Sequence, residues 1–278
     1  MDIVNLIEDT AGAAGCAPAH GLSFYVGTAR HRILMDFGPS AAIMGNAVKL
    51  GVDLAAVDTA VLSHGHYDHS GGLPAFAVVA PHAVTYVQRG AAGDFYADDG
   101  AGGKGGPLRF IGMDREALRL PGLRLIEGDL AIDGELRLLT VEERKHPLPF
   151  PDADLLEKRD GAYVPDSFAH EQSLLVAEGD RLVLLSGCAH CGILNILDEC
   201  VRKCGREPDD VISGFHLMKR GGCSGPELDE IAGTARELRR YRTRFHTCHC
   251  TGLEAFWVMK QTLGDQLDYV HCGERVVL

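Results

Sequence analysis

The residues of this chain best suited to chemistry are concentrated in one short segment. His64, His66, Asp68 and His69 fall within six positions, directly after the apolar run 59–62. Imidazole and carboxylate groups suit zinc, iron or manganese, and a strand ending in a tight turn can direct closely spaced side chains towards two metals. A histidine-rich solvated loop is the alternative, but it explains neither the aspartate inside the cluster nor the strand before it. The spacing therefore predicts a site for two metal ions.

This segment, written HxHxDH, resembles the signature of the metallo-β-lactamase superfamily. Further segments occur in the order of the subgroup typified by the archaeal 7,8-dihydropterin-6-methyl-4-(ribofuranosyl)aminobenzene 5′-phosphate synthase, and the resemblance spans almost the whole chain. These segments are ILMDFGP at 33–39, NAVKLGVD at 46–53, HEQSL at 170–174, SGCAH at 186–190, GFHL at 214–217 and HCTG at 249–252. The resemblance implies a fold more firmly than an activity, because one fold hosts many functions.

The resemblance also implies how the metal ligands are shared. In the superfamily the first two histidines of the motif face one metal, and its aspartate and last histidine face the other. His170 is the expected third ligand of the first metal, because it leads directly into a strand, whereas the alternative is a histidine that caps this strand. Cys188 stands where the superfamily often presents a bridging aspartate. A thiolate is softer and does not bridge as a carboxylate does, so Cys188 is either a second-metal ligand or a small buried residue in a turn.

Histidines in the second half compete for the last ligand position of the second metal. We prefer His249, which follows the predicted strand 243–247 and precedes a helix. His216 is instead a candidate substrate contact or proton donor, and His190 is a candidate ligand or acid–base group. His246 lies within the strand and is expected to be structural. His20 lies in a loop that resembles an active-site loop of the subgroup, and we expect at most a substrate contact there, since alanine replaces the glutamate expected before it.

The nine cysteines allow a second interpretation, in which a separate thiolate zinc site or a redox pair exists. It is less economical, because one close pair has CxC rather than CxxC spacing and another lies on the apolar face of a predicted helix. We therefore expect reduced thiols and metal ligands rather than disulfides, with Cys191 as the thiol to test for reactivity. The close pairs are Cys188 with Cys191, Cys200 with Cys204, and Cys248 with Cys250.

Composition bounds the class of protein. The 278 residues, of which 46% are apolar and 24% charged, suffice for one large core. We expect a single domain over 1–278 with an insertion or flap over 76–164, which includes a glycine-rich loop or lid at 100–107. The net charge of −12 argues against general nucleic-acid binding. Without an apolar run of membrane-spanning length or a secretory signal, we expect a cytoplasmic protein with no membrane partner.

The rest of the pattern predicts an α/β fold, an αββα sandwich of two mixed β-sheets flanked by helices. Apolar runs separated by glycine-led turns predict strands, and apolar residues at helical spacing predict helices. The second half alternates strand and helix. The predicted strands cover 22–26, 32–37, 59–62, 84–88, 123–127, 135–140, 173–177, 181–185, 210–213 and 243–247, and the predicted helices cover 41–50, 193–204, a segment beginning at Pro226, and 253–263.

The leading functional hypothesis is a binuclear hydrolase. A metal-bound hydroxide would attack an ester or phosphoester of a small molecule, and two ions about 3.5–4 Å apart would stabilise both ends of the displacement. Asp68 would hold a metal and the proton of the nucleophile, and His190 or His216 would protonate the leaving group. Zinc is the expected ion, with iron, manganese and magnesium as alternatives.

Two other hypotheses stay open at this point. One is transfer, in which the metals orient a phosphorylated ribofuranosyl-aminobenzene and a dihydropterin for bond formation. The other is a metal-dependent ligand sensor with little turnover. In each case the partner is a small molecule, which could be phosphorylated. The sequence leaves open the substrate, the native metal and the pairing of the insertion with a second copy in a homodimer.

Overall fold

The computed structural model describes residues 1–13, 15–100 and 105–278. The glycine-rich loop predicted over 100–107 therefore lies partly outside the described residues. The strands are β1 Asp2–Ile7, β2 Ser23–Gly27, β3 Arg32–Met35, β4 Thr59–Val61, β5 Val84–Gln88, β6 Phe95–Asp98, β7 Leu108–Phe110, β8 Leu123–Ile126, β9 Leu130–Ala131, β10 Leu136–Leu139, β11 Leu155–Arg159, β12 Ala162–Pro165, β13 Ser173–Glu178, β14 Arg181–Leu185, β15 Asp210–Ser213, β16 Arg244–Thr247, β17 Leu267–Tyr269 and β18 Arg275–Val277. The helices are α1 Ala42–Leu50, α2 Tyr67–Ser70, α3 Leu73–Val79, α4 Ile193–Cys204, α5 Gly225–Leu238 and α6 Gly252–Leu263.

The chain divides into two compact units. The first unit comprises Met1–Gly128, Ala153–Gln172 and Val270–Leu278, and the second comprises Asp129–Asp152 and Ser173–Tyr269. All of the predicted metal-motif residues belong to the first unit, whereas the late cysteine and histidine candidates belong to the second.

The first unit contains a mixed seven-stranded sheet in the order β18-β1-β2-β3-β4-β5-β8. Strands β3, β4, β5 and β8 pair in parallel, so their carboxyl ends lie at one edge. That edge carries the metal motif, because the HxHxDH residues follow β4. A smaller antiparallel sheet, β12-β11-β6-β7, belongs to the same unit.

The core of the first unit explains why its sheet holds this edge in place. Phe37, two residues after β3, packs against Phe76 of α3 with ring centroids 5.4 Å apart. Ile43 of α1 and Leu73 of α3 belong to the same buried cluster. Burying a side chain of this size contributes about 1.5–3 kcal/mol, so the cluster fixes the elements on either side of the motif.

The second unit contains a mixed seven-stranded sheet in the order β17-β16-β15-β14-β13-β10-β9. Strands β14 to β17 are parallel, and β13, like β14 a predicted strand, pairs antiparallel with β14. Helix α4 has the predicted bounds, buries Ile193, Ile196, Leu197 and Cys200, and ends at Gly205 with φ 73°. The carboxyl ends of β14, β15 and β16 are the positions at which α/β sheets usually bind ligands.

Most predicted elements are present, but the boundaries differ at some positions. The sequence does not predict β1, α2, α3 or the short strands around residue 160. Residues 76–164, predicted as an insertion, include β5 and β8, which pair within the large sheet of the first unit. The insertion itself stays a prediction. Within the described part of the chain, no helix is both long and apolar enough to cross a membrane.

Candidate metal centres

The HxHxDH residues of the first unit lie in a tightly packed turn. Strand β4 ends at Val61, and α2 begins at Tyr67, so the motif spans the turn and the first residues of a short helix. Gly65 allows this turn, because a Cβ at that position would overlap the carbonyl oxygen of Ala91 and the ring of Phe95. The motif side chains are buried.

Asp36 orients two of the three motif histidines. Its Oδ2 atom accepts hydrogen bonds from Nδ1 of His69, at 2.6 Å, and from Oγ of Ser63, at 2.7 Å. Since the Ser63 hydroxyl donates to Asp36, its oxygen accepts from Nδ1 of His64 at 2.8 Å. Both rings therefore carry hydrogen on Nδ1 and present the Nε2 lone pair, as carboxylate-backed metal-binding histidines do.

The motif side chains lie close to one another. The ring centroid of His64 lies 4.2 Å from that of His69 and 4.5 Å from that of His66. Nε2 of His69 lies 3.7 Å from Oδ2 of Asp68. An imidazole nitrogen and a carboxylate oxygen at this separation suit one divalent ion, which matches the predicted pairing of Asp68 with His69.

His170 lies beside the motif in the same unit, but both of its ring nitrogens already have partners. Nδ1 accepts a hydrogen bond from the backbone N–H of Gly65 at 3.1 Å, and Nε2 donates to Oδ2 of Asp166 at 3.1 Å. The ring also stacks on Phe95 at a centroid distance of 4.1 Å. These contacts favour a role in holding the turn, and the predicted ligand role of His170 stays a prediction.

Asp166 is a buried carboxylate that also faces His66. Its Oδ2 atom lies 3.9 Å from Nε2 of His66, and Oδ1 accepts from the backbone N–H of Phe168 at 2.7 Å. Burial opposes ionisation of Asp166, but the hydrogen bond from His170 and the nearby His66 ring outweigh it and hold its pKa well below the ordinary value. Burial lowers the pKa of His66, which favours the neutral imidazole that metals bind.

His20, predicted as a substrate contact, lies next to Asp68. Its Nε2 atom is 3.6 Å from Oδ2 of Asp68, and its Nδ1 is 2.8 Å from Oδ2 of Asp9. About half of the side chain is exposed, at 51%. The structure therefore places His20 at an accessible border of the motif, where its side chain can be reached by a small molecule.

In the second unit, the candidate residues follow the parallel strands. Cys188 and His190 come after β14, His216 after β15, and His249 after β16. His216 and His249 have φ values of 46° and 49°, a region that non-glycine residues rarely occupy. Such strain costs about 1–3 kcal/mol per residue and clusters at sites that bind ligands.

Asp152 joins the two proton-transfer candidates of the second unit. Its Oδ1 atom lies 2.7 Å from Nδ1 of His190 and 3.4 Å from Nε2 of His216, and the two rings are 4.1 Å apart. Nδ1 of His216 is buried and makes no hydrogen bond within the described structure. The ligand atoms of Cys188, His190 and His216 all lie within 4.8 Å of one another.

Cys250, which the sequence analysis considers only in the alternative of a separate thiolate zinc site or redox pair, lies with Cys188 and His249. The possible ligand atoms of these three residues also lie within 4.8 Å of one another. Burial raises the pKa of the Cys250 thiol, but its bond with Cys188 and the neighbouring His249 and His216 outweigh burial and bring that pKa well below the ordinary value. The cluster thus favours a thiolate.

The comparisons with known proteins identify the family of this chain. Residues 17–191 match the family model described as the metallo-beta-lactamase superfamily. The chain belongs to this superfamily. The resemblance predicted from HxHxDH and the six further segments is thereby confirmed.

Three relatives of this metallo-β-lactamase superfamily member cover nearly all of its length. An uncharacterized protein of Methanocaldococcus jannaschii is 27% identical over 276 residues, 98% of either chain. The 7,8-dihydropterin-6-methyl-4-(beta-D-ribofuranosyl)-aminobenzene-5'-phosphate synthase of that organism is 26% identical over 299 residues, 99% of this chain and 95% of the synthase. The solved structure of Tm1679, described as a metal-dependent hydrolase of the beta-lactamase superfamily, has a TM-score of 0.81 at 28% identity and covers 100% of this chain and 99% of Tm1679. This likeness confirms the predicted fold class.

Metal ions fit the residues that this superfamily member presents. The first unit offers imidazoles whose tautomers are fixed by Asp36, next to the Asp68 carboxylate. The second unit offers thiol and imidazole donors, including the buried Nδ1 of His216, which makes no hydrogen bond within the described structure. Imidazole, carboxylate and thiolate are the usual zinc ligands.

Three supporting residues of the superfamily member escaped the sequence analysis, and a fourth, Cys250, entered it only in the alternative of a separate thiolate zinc site or redox pair. Asp36 lies within a segment that carries the resemblance, and its position at a strand end could have suggested a role. Asp166 precedes His170 by four residues, but nothing in the local pattern indicates that their side chains pair. Asp152 and Cys250 act through contacts with residues distant in sequence, at separations of 38 and 62 residues.

Proposed function

We propose that this protein is a metal-dependent hydrolase that acts on an ester or phosphoester of a small molecule. The observation that carries the proposal is the Asp36 network, which fixes the tautomers of His64 and His69, with Nε2 of His69 lying 3.7 Å from Oδ2 of Asp68. In proteins, a buried carboxylate commonly accepts from an imidazole in this way where the imidazole binds metal in one orientation. The metal-dependent activity in the description of Tm1679, 28% identical over the full chain, supports the same class.

Bound divalent ions would supply Lewis acidity and lower the pKa of a water molecule towards about 7. The proposed metal ligands are His64, His66, Asp68 and His69 of the first unit and Cys188 and His249 of the second. Zinc is the proposed metal, and two ions per chain the proposed number.

The protein's own groups would then handle the protons. The carboxylate of Asp68, 3.7 Å from Nε2 of His69, would accept a proton from an attacking water. His190 is held by Asp152 through Nδ1, which leaves Nε2 as the position that donates a proton to a leaving group. His216, which also faces Asp152, is the second candidate for this donor.

The experiment that tests this proposal measures product release from three chromogenic substrates. These are bis(p-nitrophenyl) phosphate, p-nitrophenyl phosphate and p-nitrophenyl acetate, each offered to zinc-loaded protein. We expect hydrolysis of at least one, and its loss in Asp68→Asn, which keeps the size of the side chain. A matched control, Asp9→Asn, removes a carboxylate that contacts His20 but is not a proposed ligand. If Asp68→Asn keeps full activity, Asp68 does not have the proposed role.

Transfer is the second candidate function, and the full-length similarity to the Methanocaldococcus jannaschii synthase, at 26% identity, favours it. Metal ions and the same histidines would then orient a phosphorylated ribofuranosyl-aminobenzene and a dihydropterin rather than activate water. Mixing these two compounds with the metal-loaded protein and analysing the product by mass spectrometry separates the candidates. A joined product without ester hydrolysis would replace the hydrolase proposal. Binding of both compounds without any turnover would indicate a ligand sensor.

A further inference from the structure

The second unit places two cysteines and a histidine around one point at the end of its parallel sheet. Cys188 follows β14, and His249 and Cys250 form the turn that follows β16. The possible ligand atoms of these three residues lie within 4.8 Å of one another. All three side chains are buried, with exposed fractions of 2%, 1% and 4%.

The backbone around Cys250 is shaped to hold its sulfur. Gly214, after β15, makes room for it, because a Cβ at position 214 would overlap Sγ of Cys250. The backbone N–H of His216 donates to the same sulfur at 3.3 Å. An N–H directed at sulfur stabilises the thiolate form, which is the form that binds metal.

His249 is held in place by its own strained backbone. Its φ of 49° lies in the left-handed region, and the following Cys250 carbonyl accepts from the backbone N–H groups of Leu217 and Met218, at 2.9 and 2.8 Å. Such a conformation persists only where the surrounding structure determines it. The turn therefore brings His249 and Cys250 into one fixed arrangement.

We propose that Cys250 is a metal ligand together with Cys188 and His249, so that the second unit holds a thiophilic ion, Zn²⁺ or Fe²⁺, in preference to Mg²⁺. Two thiolates and one imidazole are soft to borderline donors, whereas Mg²⁺ selects oxygen ligands. Three protein donors are also the usual number in catalytic zinc sites, where a fourth position stays open. The inference deepens the proposed function, on which it rests, by naming the class of metal.

Cobalt substitution tests the assignment independently of activity. Thiolate ligands give Co²⁺ a charge-transfer absorption in the near ultraviolet, whose intensity per chain follows the number of sulfur ligands. Protein loaded with Co²⁺ is compared with Cys250→Ala and Cys188→Ala. Each variant is expected to lose about half of this absorption. Cys200→Ala, which removes a buried thiol of α4, is the matched control and should keep all of it.

A measurement on the unaltered protein covers the case in which a variant fails to fold. X-ray absorption at the zinc edge gives the average number of sulfur neighbours per zinc ion. Multiplied by the number of zinc ions per chain, this average is expected to give two sulfur ligands per chain. One sulfur per chain, or a Cys250→Ala spectrum equal to that of the control, overturns the assignment. Two sulfurs without hydrolysis of any ester would leave the assignment intact and contradict the proposed function. Hydrolysis with only one sulfur per chain would contradict the assignment and leave the proposed function intact.

Discussion

Nε2 of His170 donates a hydrogen bond to Oδ2 of Asp166 over 3.1 Å, while Nδ1 of the same ring accepts from the backbone N–H of Gly65. The imidazole thus connects a buried carboxylate to the middle of the HxHxDH turn. A neutral imidazole has one donor and one acceptor nitrogen, and both are in use here. These two hydrogen bonds support the turn, and we expect this support to be the main role of His170, whose predicted ligand role stays a prediction.

Replacing His170 with alanine should destabilise the fold without removing a metal. Because Gly65 and Asp166 would each lose a buried partner, we expect the free energy of unfolding to fall by about 1–3 kcal/mol. Chemical denaturation followed by circular dichroism measures this change, and elemental analysis of the folded variant counts the ions. His170→Asn, whose side chain can still accept from Gly65, should recover part of the loss. A folded variant that lacks one ion per chain would show that His170 is a ligand after all.

Replacing Asp36 with asparagine should weaken metal binding. Asparagine tolerates the φ of 61° at this position, so the backbone can stay as it is. An amide in place of the carboxylate removes the charged acceptor for Nδ1 of His69, and loss of such a partner typically costs about 10–100-fold in metal affinity. Competition with a chromophoric zinc chelator measures this affinity. An unchanged affinity would mean that the Asp36 network does not orient the ligands.

Replacing Asp152 with asparagine should slow turnover more than it weakens substrate binding. The amide can no longer fix the tautomer of His190, so proton donation becomes inefficient, and we expect kcat to fall on the order of a hundredfold, within the range of positioned acid–base groups. KM should change little. Steady-state kinetics over a range of pH provides both values. A rise in KM at constant kcat would instead indicate a role in binding.

The thiols of Cys204 and Cys223 should react at different rates, although both are partly exposed. A hydrogen bond from the Cys200 thiol outweighs burial and lowers the pKa of Cys204 to about 7. Burial and the Glu254 carboxylate raise the pKa of Cys223 to about 11. At pH 8, Cys204 is thus mainly thiolate and Cys223 mainly thiol.

Iodoacetamide at pH 8, followed by peptide mass spectrometry, should label Cys204 more than about tenfold faster than Cys223, since the thiolate is the nucleophile. Lowering the pH to 6 should slow the labelling of Cys204, because its thiolate is protonated below a pKa of about 7. Equal rates at pH 8 would contradict the assigned order.

Helix α5 offers a stability prediction away from both metal groups. Ser224 and Glu227 form a capping box, in which the serine side chain bonds the backbone of the third helical residue and the glutamate bonds the backbone of the cap. Ser224→Ala should lower the free energy of unfolding by about 1 kcal/mol. Thermal unfolding checks this change. Zinc content and activity should stay at the original level, and a loss of zinc would mean that α5 affects the ligands.

The sequence predicts elements whose signals are local. Helix α4 has the predicted bounds, because its apolar spacing is regular and Gly205 ends it. Strand β1 was missed, since its buried Asn5 breaks the apolar pattern. The side-chain amide of Asn5 donates to Val270 at the opposite end of the chain, a partner that no local pattern can indicate.

The contrast between local sequence signals and contacts made on folding also applies to the site residues. Asp68 and His69 lie next to each other in sequence, and their side chains are close in the structure. His170 has a ligand-like position before a strand, but Asp166 and Gly65 use both of its nitrogens. Whether a side chain faces a metal or supports a turn depends on partners that folding brings together.

The central claim is that bound divalent metal drives hydrolysis, and a titration of activity with zinc tests it most directly. The protein is freed of metal with a chelator, zinc is added back in measured amounts, and the rate of bis(p-nitrophenyl) phosphate or p-nitrophenyl acetate hydrolysis is recorded at each step. We predict a negligible rate without metal and a rise that saturates near two zinc ions per chain. A rate that is unchanged by removal and return of zinc would contradict the account.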